Sequence, residues 1–130
     1  MNNDNVNHPR HYSGIAATVE CIDISRHMPF SLGNAFKYVW RAGKKGSKEK
    51  AQEDLEKALW YLQDWSNHGD PQYRGSVTAY AIWQTTGRGA LGSTRDAVLD
   101  SIIVLDLISA RNLIKIMMED VKNESDQPES

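Results

Sequence analysis

Five side chains able to hold an anion fall within twelve residues, Asn34, Lys37, Arg41, Lys44 and Lys45, and no carboxylate falls among them. An undiluted cationic group of this kind attracts anions, and phosphate suits its mixture of guanidinium and ammonium donors. At about 100° per residue, Leu32, Phe36, Val39 and Trp40 gather on one side of a helix while Asn34, Lys37 and Arg41 share an arc of the other. Gly43 ends that helix in a Gly-Lys-Lys-Gly loop, which sets Lys44 and Lys45 beside its carbonyl end. The competing reading is a solvated helix face whose cations pair with neighbouring carboxylates.

Two further groups could complete a site. Lys50, Asp54, Lys57 and Tyr61 fall in one narrow arc of the next helical segment. Asp54 is then placed to meet Lys37 or Arg41, as a structural ion pair or as the group that orients those cations on a substrate. Nearer the start, Asn7-His8-Pro9-Arg10-His11-Tyr12 holds two histidines, and Pro9 forces His8 toward an extended conformation, so both sit on a turn. His8, His11 and Tyr12 suit hydrogen bonding to a phosphate better than metal binding, because no third metal ligand is identifiable by spacing. In a turn without a ligand, a ring nitrogen would bond a backbone carbonyl.

The elements that must position these residues are helical. A short helix is expected up to about His27, and Met28-Pro29 breaks it; Ser31 can cap the basic helix, about 32–44. Ser47 caps a second helix, about 48–66, whose Ala51, Leu55, Ala58, Leu59, Leu62 and Trp65 make the clearest apolar stripe in the chain. The two helices should pack as an antiparallel pair. Residues 67–93 read as a loop and a short apolar segment, Val77 to Trp83, that is either strand or helix. Gly87-Arg88-Gly89-Ala90-Leu91-Gly92 is formally a dinucleotide-binding string, but no βαβ unit surrounds it, so it reads as a loop. One long helix, about 94–122, follows with Ser93 as its cap, and 123–130 reads as a disordered polar tail. The expected fold is one mainly α domain spanning residues 1–130.

The order Asn7-His8-Pro9-Arg10-His11-Tyr12, Glu20-Cys21-Ile22-Asp23, Gly33-Asn34-Ala35-Phe36-Lys37-Tyr38-Val39-Trp40-Arg41-Ala42-Gly43-Lys44-Lys45 and Asp54-Leu55-Glu56-Lys57-Ala58-Leu59-Trp60-Tyr61-Leu62 resembles the SaV-like family, a small domain of uncharacterised type common in tailed phages. The resemblance covers about the first half of the chain, in the family's order and approximate spacing. It implies a phage-encoded protein of the host cytoplasm. The family includes a podophage nucleotide kinase that phosphorylates deoxynucleoside monophosphates without a P-loop. It also includes the phage factor through which an abortive-infection system senses infection, so a host-defence protein is a further implied partner.

Composition narrows the remaining choices. A chain of 130 residues is large enough for one core without disulfides. Its single cysteine, Cys21, excludes an internal disulfide framework and fits a reducing cytoplasm. The polar stretch from Met1 to Asn7 does not read as a signal peptide, and none is expected. A formal net charge of −2 argues against general nucleic-acid binding, so basic chemistry must be local. Asp100, Asp106, Arg111 and Lys115 interrupt the long helix too often for a membrane span. Its apolar residues cover more faces than one small subunit can enclose, so a homo-oligomer is expected, with Ile102, Leu105 and Ile116 near the interface.

Three functions compete. The first is a nucleoside monophosphate kinase, with a nucleotide as ligand and a nucleotide phosphate donor as co-substrate. Lys37, Arg41, Lys44 and Lys45 would carry the charge, Tyr12, Asn34, Lys57 and Tyr61 would line the site, and His8, His11 or Asp54 would position or deprotonate the acceptor. The second is a non-catalytic factor, a nucleotide sponge or a protein that engages host defence. The third is an all-helical nucleoside triphosphate pyrophosphohydrolase, which needs carboxylates clustered on magnesium. Glu49, Glu53 and Glu56 occur together but project from the outer face, with no second carboxylate pair opposite. The first reading is the one expected, and neither a metal site nor a magnesium requirement follows from the sequence.

Overall fold

Four of the described helix starts, those of α1, α3, α4 and α6, are set by side chains that tie off the first turn. The computed structural model describes residues 19–44, 46–86 and 93–124. The backbone N–H of Glu20 donates to the Asp23 carboxylate at 2.8 Å and closes the start of α1, Cys21–Ser25. α2 spans Phe30–Arg41, and α3 spans Lys48–His68 with Ser47 accepting from the N–H of Lys50 at 3.1 Å, as its type and position predict. Ser31 is not the cap of α2. Pro29 holds that position, while the Ser31 hydroxyl, inside the first turn, donates to the Asp64 carboxylate on α3. A residue at the start of α2 thus meets one near the end of α3, and Arg41 at the end of α2 meets Asp54 near the start of α3. The pair is antiparallel, as the apolar stripes require.

Gly33 lets α1 approach α2 closely, since a Cβ there would stand 3.0 Å from the carbonyl oxygen of Ser25. Gly43, at φ 80°, ends α2 in the left-handed region. The apolar segment after the 69–76 loop is a helix: α4 spans Val77–Thr85, capped by Ser76 through the N–H of Ala79 at 3.0 Å.

The long C-terminal helix is a correction. The chain forms two helices there, α5 at Ser93–Ile103 and α6 at Leu107–Lys122. Leu105 adopts φ 65°, its N–H donates to the Ile102 carbonyl at 3.2 Å, and the N–H of Asp106 donates to the Ser101 carbonyl at 2.8 Å. These two bonds are the paired closure of a left-handed helix ending, here without glycine. Asp106 then starts α6 by accepting from the N–H of Ser109 at 3.2 Å. Replacing this cap, Asp106→Ala, should cost about 1 kcal/mol in chemical denaturation, with the wild-type fold retained in circular dichroism.

The break lets α5 fold back on α6, which covers Val98, Ile102 and Ile114 inside the subunit and leaves Val104, Ile108 and Ile116 exposed. α2 packs on α3, α3 on α6, α6 on α5 and α5 on α2, so these four make a bundle; α1 and α4 pack against α2 and α5 and against each other. Phe36, Leu55, Leu62, Trp83, Ile102 and Ile114 are fully buried in the shared core. Trp83 brings α4 into it, meeting Phe36 edge-on at 6.1 Å and donating its indole N–H to Asp100 at 3.1 Å. Ile102 is enclosed within its own subunit, while Leu105 is half-buried and Ile116 is 49 % exposed. Every described element is helical, and none of these helices is long and apolar enough to cross a membrane.

Candidate functional site

The loop between α2 and α3 opens beside a cavity of about 430 Å³ that is lined, among the described residues, by Arg41, Lys44, Lys50 and Asp54. Asp54 is almost wholly buried. Its Oδ1 receives a guanidinium nitrogen of Arg41 at 3.3 Å and the Lys50 ammonium at 3.4 Å. Lys50 also reaches Glu53 at 3.3 Å across the surface of α3. A buried carboxylate without partners would be strongly unfavourable, so the two cations are what allow it to sit there, and it in turn fixes their direction. The Arg41 side chain is 44 % exposed and spends only part of its donor fork on Asp54. What remains can face a ligand.

Arg95 on α5 supports this wall from behind. Its Nη1 donates to the Val39 carbonyl at 2.6 Å and to the Trp40 carbonyl at 3.2 Å, so a cation satisfies the acceptors left open at the end of α2. Burial, partly opposed by Asp96, lowers the pKa of this guanidinium. Lys44 lies at 5.2 Å over the Trp40 ring, and its pKa is lowered first by burial and then by repulsion from Arg95, against a smaller opposite effect of Cys21. An anion in the cavity would favour the charged form of Lys44 and oppose this lowering. Phosphate affinity should therefore fall as pH rises through the lowered Lys44 value, and binding at alkaline pH should take up protons, measurable by calorimetry in buffers of different ionisation heat.

Behind the loop, burial pushes the Cys21 thiol up to about 11, although a hydrogen bond with Ser25 and the charges of Lys44 and Lys37 oppose it. A group raised in the folded state favours folding below its ordinary value of 9.0, and that contribution disappears as pH climbs toward 11. At pH 8 the native thiol should react with iodoacetamide roughly a hundredfold more slowly than an unstructured cysteine, and denaturant should abolish the difference.

The expected site residues that are described divide into three sets. Arg41, Lys44 and Asp54 meet at the cavity, joined by Lys50, which had been only a neighbour in the arc. Lys37, Lys57 and Tyr61 collect instead around Tyr38: the two ammonium groups lie 4.8 and 5.4 Å from its ring, the Arg41 guanidinium 4.8 Å from it, and Tyr61 is stacked on it at 5.9 Å. Asn34 donates to the carbonyl of Phe30 at 2.8 Å and lines, with Lys37 and Arg26, a separate hollow of about 270 Å³ between α1 and α2. His8, His11, Tyr12 and Lys45 lie outside the described residues, as do Gly87 to Gly92 and the end of the tail. Sequence reasoning missed Arg95, which no local spacing ties to α2. It had a signal for Lys50, four residues before Asp54 on one helix face.

The acidic trio does not converge. Glu49, Glu53 and Glu56 are all exposed, and among the described residues no group of three potential metal ligands occurs. Residues 6–63 match the model of a family described as a protein of unknown function, DUF3310. The match includes every described residue of the cavity wall and of the Tyr38 cluster. Comparison with the curated proteins and with the solved structures gave no match.

Proposed function

We propose that this chain binds a nucleotide through its phosphate in the cavity at the α2–α3 loop, and that it acts as a nucleoside monophosphate kinase or a close relative of one. The observation that carries the reading is the buried Asp54 carboxylate, which holds Arg41 and Lys50 at 3.3 and 3.4 Å on a cavity wall that Lys44 completes. Arg41, Lys44 and Lys50 against Asp54 and Glu53 leave an excess of one positive charge, the sign that a phosphate needs. Phosphoryl transfer asks chiefly for such fixed positive groups around the transferred phosphoryl and for a positioned acceptor. In the reaction, an oxygen of the monophosphate attacks the terminal phosphorus of a nucleoside triphosphate, the bond to its bridging oxygen breaks, and two nucleoside diphosphates result.

The resemblance of the first half to the SaV-like family supports the same assignment, because that family includes a nucleotide kinase lacking a P-loop. His8 and His11 are the candidates for proton movement, with Asp54 orienting the cations. Calorimetric titration with a panel of nucleoside and deoxynucleoside monophosphates, followed by a phosphoryl-transfer assay with a triphosphate donor, tests the proposal. Binding with transfer is expected, and His8→Ala or His11→Ala should lower turnover more than affinity. Binding without transfer would leave a nucleotide-binding factor, and no binding would remove the nucleotide altogether.

A further inference from the structure

Beside the cavity, the α2–α3 pair carries a row of aromatic rings that the nucleotide site does not use. Phe30 is 75 % exposed and Trp60 62 % exposed. Both meet Tyr61 edge-on, Phe30 at 6.0 Å and 72° and Trp60 at 5.1 Å and 86°, and Tyr61 continues the row by stacking on Tyr38 at 11°. Lys37, Arg41 and Lys57 surround Tyr38 at the far end of the row. Among the described residues, no carboxylate forms an ion pair with Lys37 or Lys57. Asp64, the acid one turn beyond Trp60, accepts from the Ser31 hydroxyl.

Large rings held at the surface gain little from folding, so their place in the structure points outward. The cations beside them select an anionic occupant, and the rings select one with flat faces to stack. We propose that this row binds a single-stranded oligonucleotide, with bases stacked on Phe30 and Trp60 and phosphates held by Lys37 and Lys57. Stacking and local charge are what unspecific single-strand binding requires. The overall charge of −2 excludes a general coat on nucleic acid but leaves a short local track open. A duplex is disfavoured, because its bases are already stacked on one another and cannot reach the rings.

The test is fluorescence anisotropy of a dye-labelled thymidine 12-mer titrated with the full chain at low salt. Saturable binding that weakens with added salt is expected, and the same strand annealed to its complement should bind more weakly. Trp60→Ala and Phe30→Ala should each weaken the single-strand complex about 5- to 150-fold, the span for loss of one stacked base, while Trp60→Phe retains most of it. Circular dichroism and the melting temperature should stay near wild type, since neither ring belongs to the core. Calorimetry with a nucleoside monophosphate should give the same affinity in the Trp60 and Phe30 variants as in wild type, so failure of the strip and failure of the cavity are distinguishable. No anisotropy change at low salt, or equal affinity in wild type and in both alanine variants, would overturn the proposal. So would a wild-type dimer in light scattering that Trp60→Ala dissociates with oligonucleotide affinity unchanged, since the rings would then cover a second copy of the chain.

Discussion

Ile102→Asp should unfold the protein rather than release folded monomers. Ile102 is fully buried among the residues of its own subunit, on the face of α5 that the break at Leu105 lets pack within the bundle. An aspartate there would place a carboxylate in the core with no partner built for it, at a cost of several kcal/mol. The transfer energy of the lost isoleucine adds about 2 kcal/mol more, against a total stability of roughly 5–15 kcal/mol for a domain. Loss of helical circular dichroism and of a cooperative melting transition is expected. Ile116→Asp, at a site that is 49 % exposed, should shift stability by only about 0.5 kcal/mol. If Ile116→Asp instead splits an oligomer in light scattering, the outer face of α6 is a subunit interface. A folded, soluble Ile102→Asp protein would contradict the described core.

Arg41→Ala carries the largest expected effect on binding. Its guanidinium is anchored on one side by Asp54 and lies over Tyr38 on another, so the donors turned to the cavity are held in place before a ligand arrives. Removing a charged donor of this kind should weaken nucleotide binding by about 1.5–3 kcal/mol, roughly 10- to 150-fold in affinity. Thermal stability should change much less. Asp54 keeps Lys50 as a partner after the substitution, and the Arg41 side chain is largely at the surface. Calorimetric titration beside a melting curve separates the two effects. A large drop in melting temperature with unchanged affinity would make the Arg41–Asp54 pair purely structural.

The parts of this architecture that follow local rules were legible in the sequence. Ser47 and the stripe from Ala51 to Trp65 announce α3, and Gly43 announces the end of α2, because a cap, a 3.6-residue period and a left-handed glycine each act within a few residues. The break between α5 and α6 was not legible, because Leu105 adopts the left-handed conformation that the sequence reserves for glycine or asparagine. Asp106, a strong cap type inside an otherwise continuous apolar pattern, was the available signal. Missing it turned two packed helices into one overexposed rod, and the expectation of an interface at Ile102 came from that rod.

The site shows the same division. The charge cluster from Asn34 to Lys45 was visible, as was a link from Asp54 to either Lys37 or Arg41, because helix periodicity places them on facing arcs; the fold selects Arg41. The separation of Lys37 and Lys57 from the cavity depends on Tyr38 and Tyr61 stacking between the helices, which periodicity alone does not give. Arg95 reaches the end of α2 from fifty-five residues away in sequence, through the fold of the bundle.

The measurement that tests the central claim most directly is a crystal structure of the chain with a nucleoside monophosphate bound. The account predicts the phosphate in the α2–α3 cavity, within hydrogen-bonding distance of Arg41, Lys44 and Lys50, with Asp54 still bonded to Arg41 from behind. A phosphate bound elsewhere, with Arg41 and Lys50 facing only Asp54 and solvent, would contradict it.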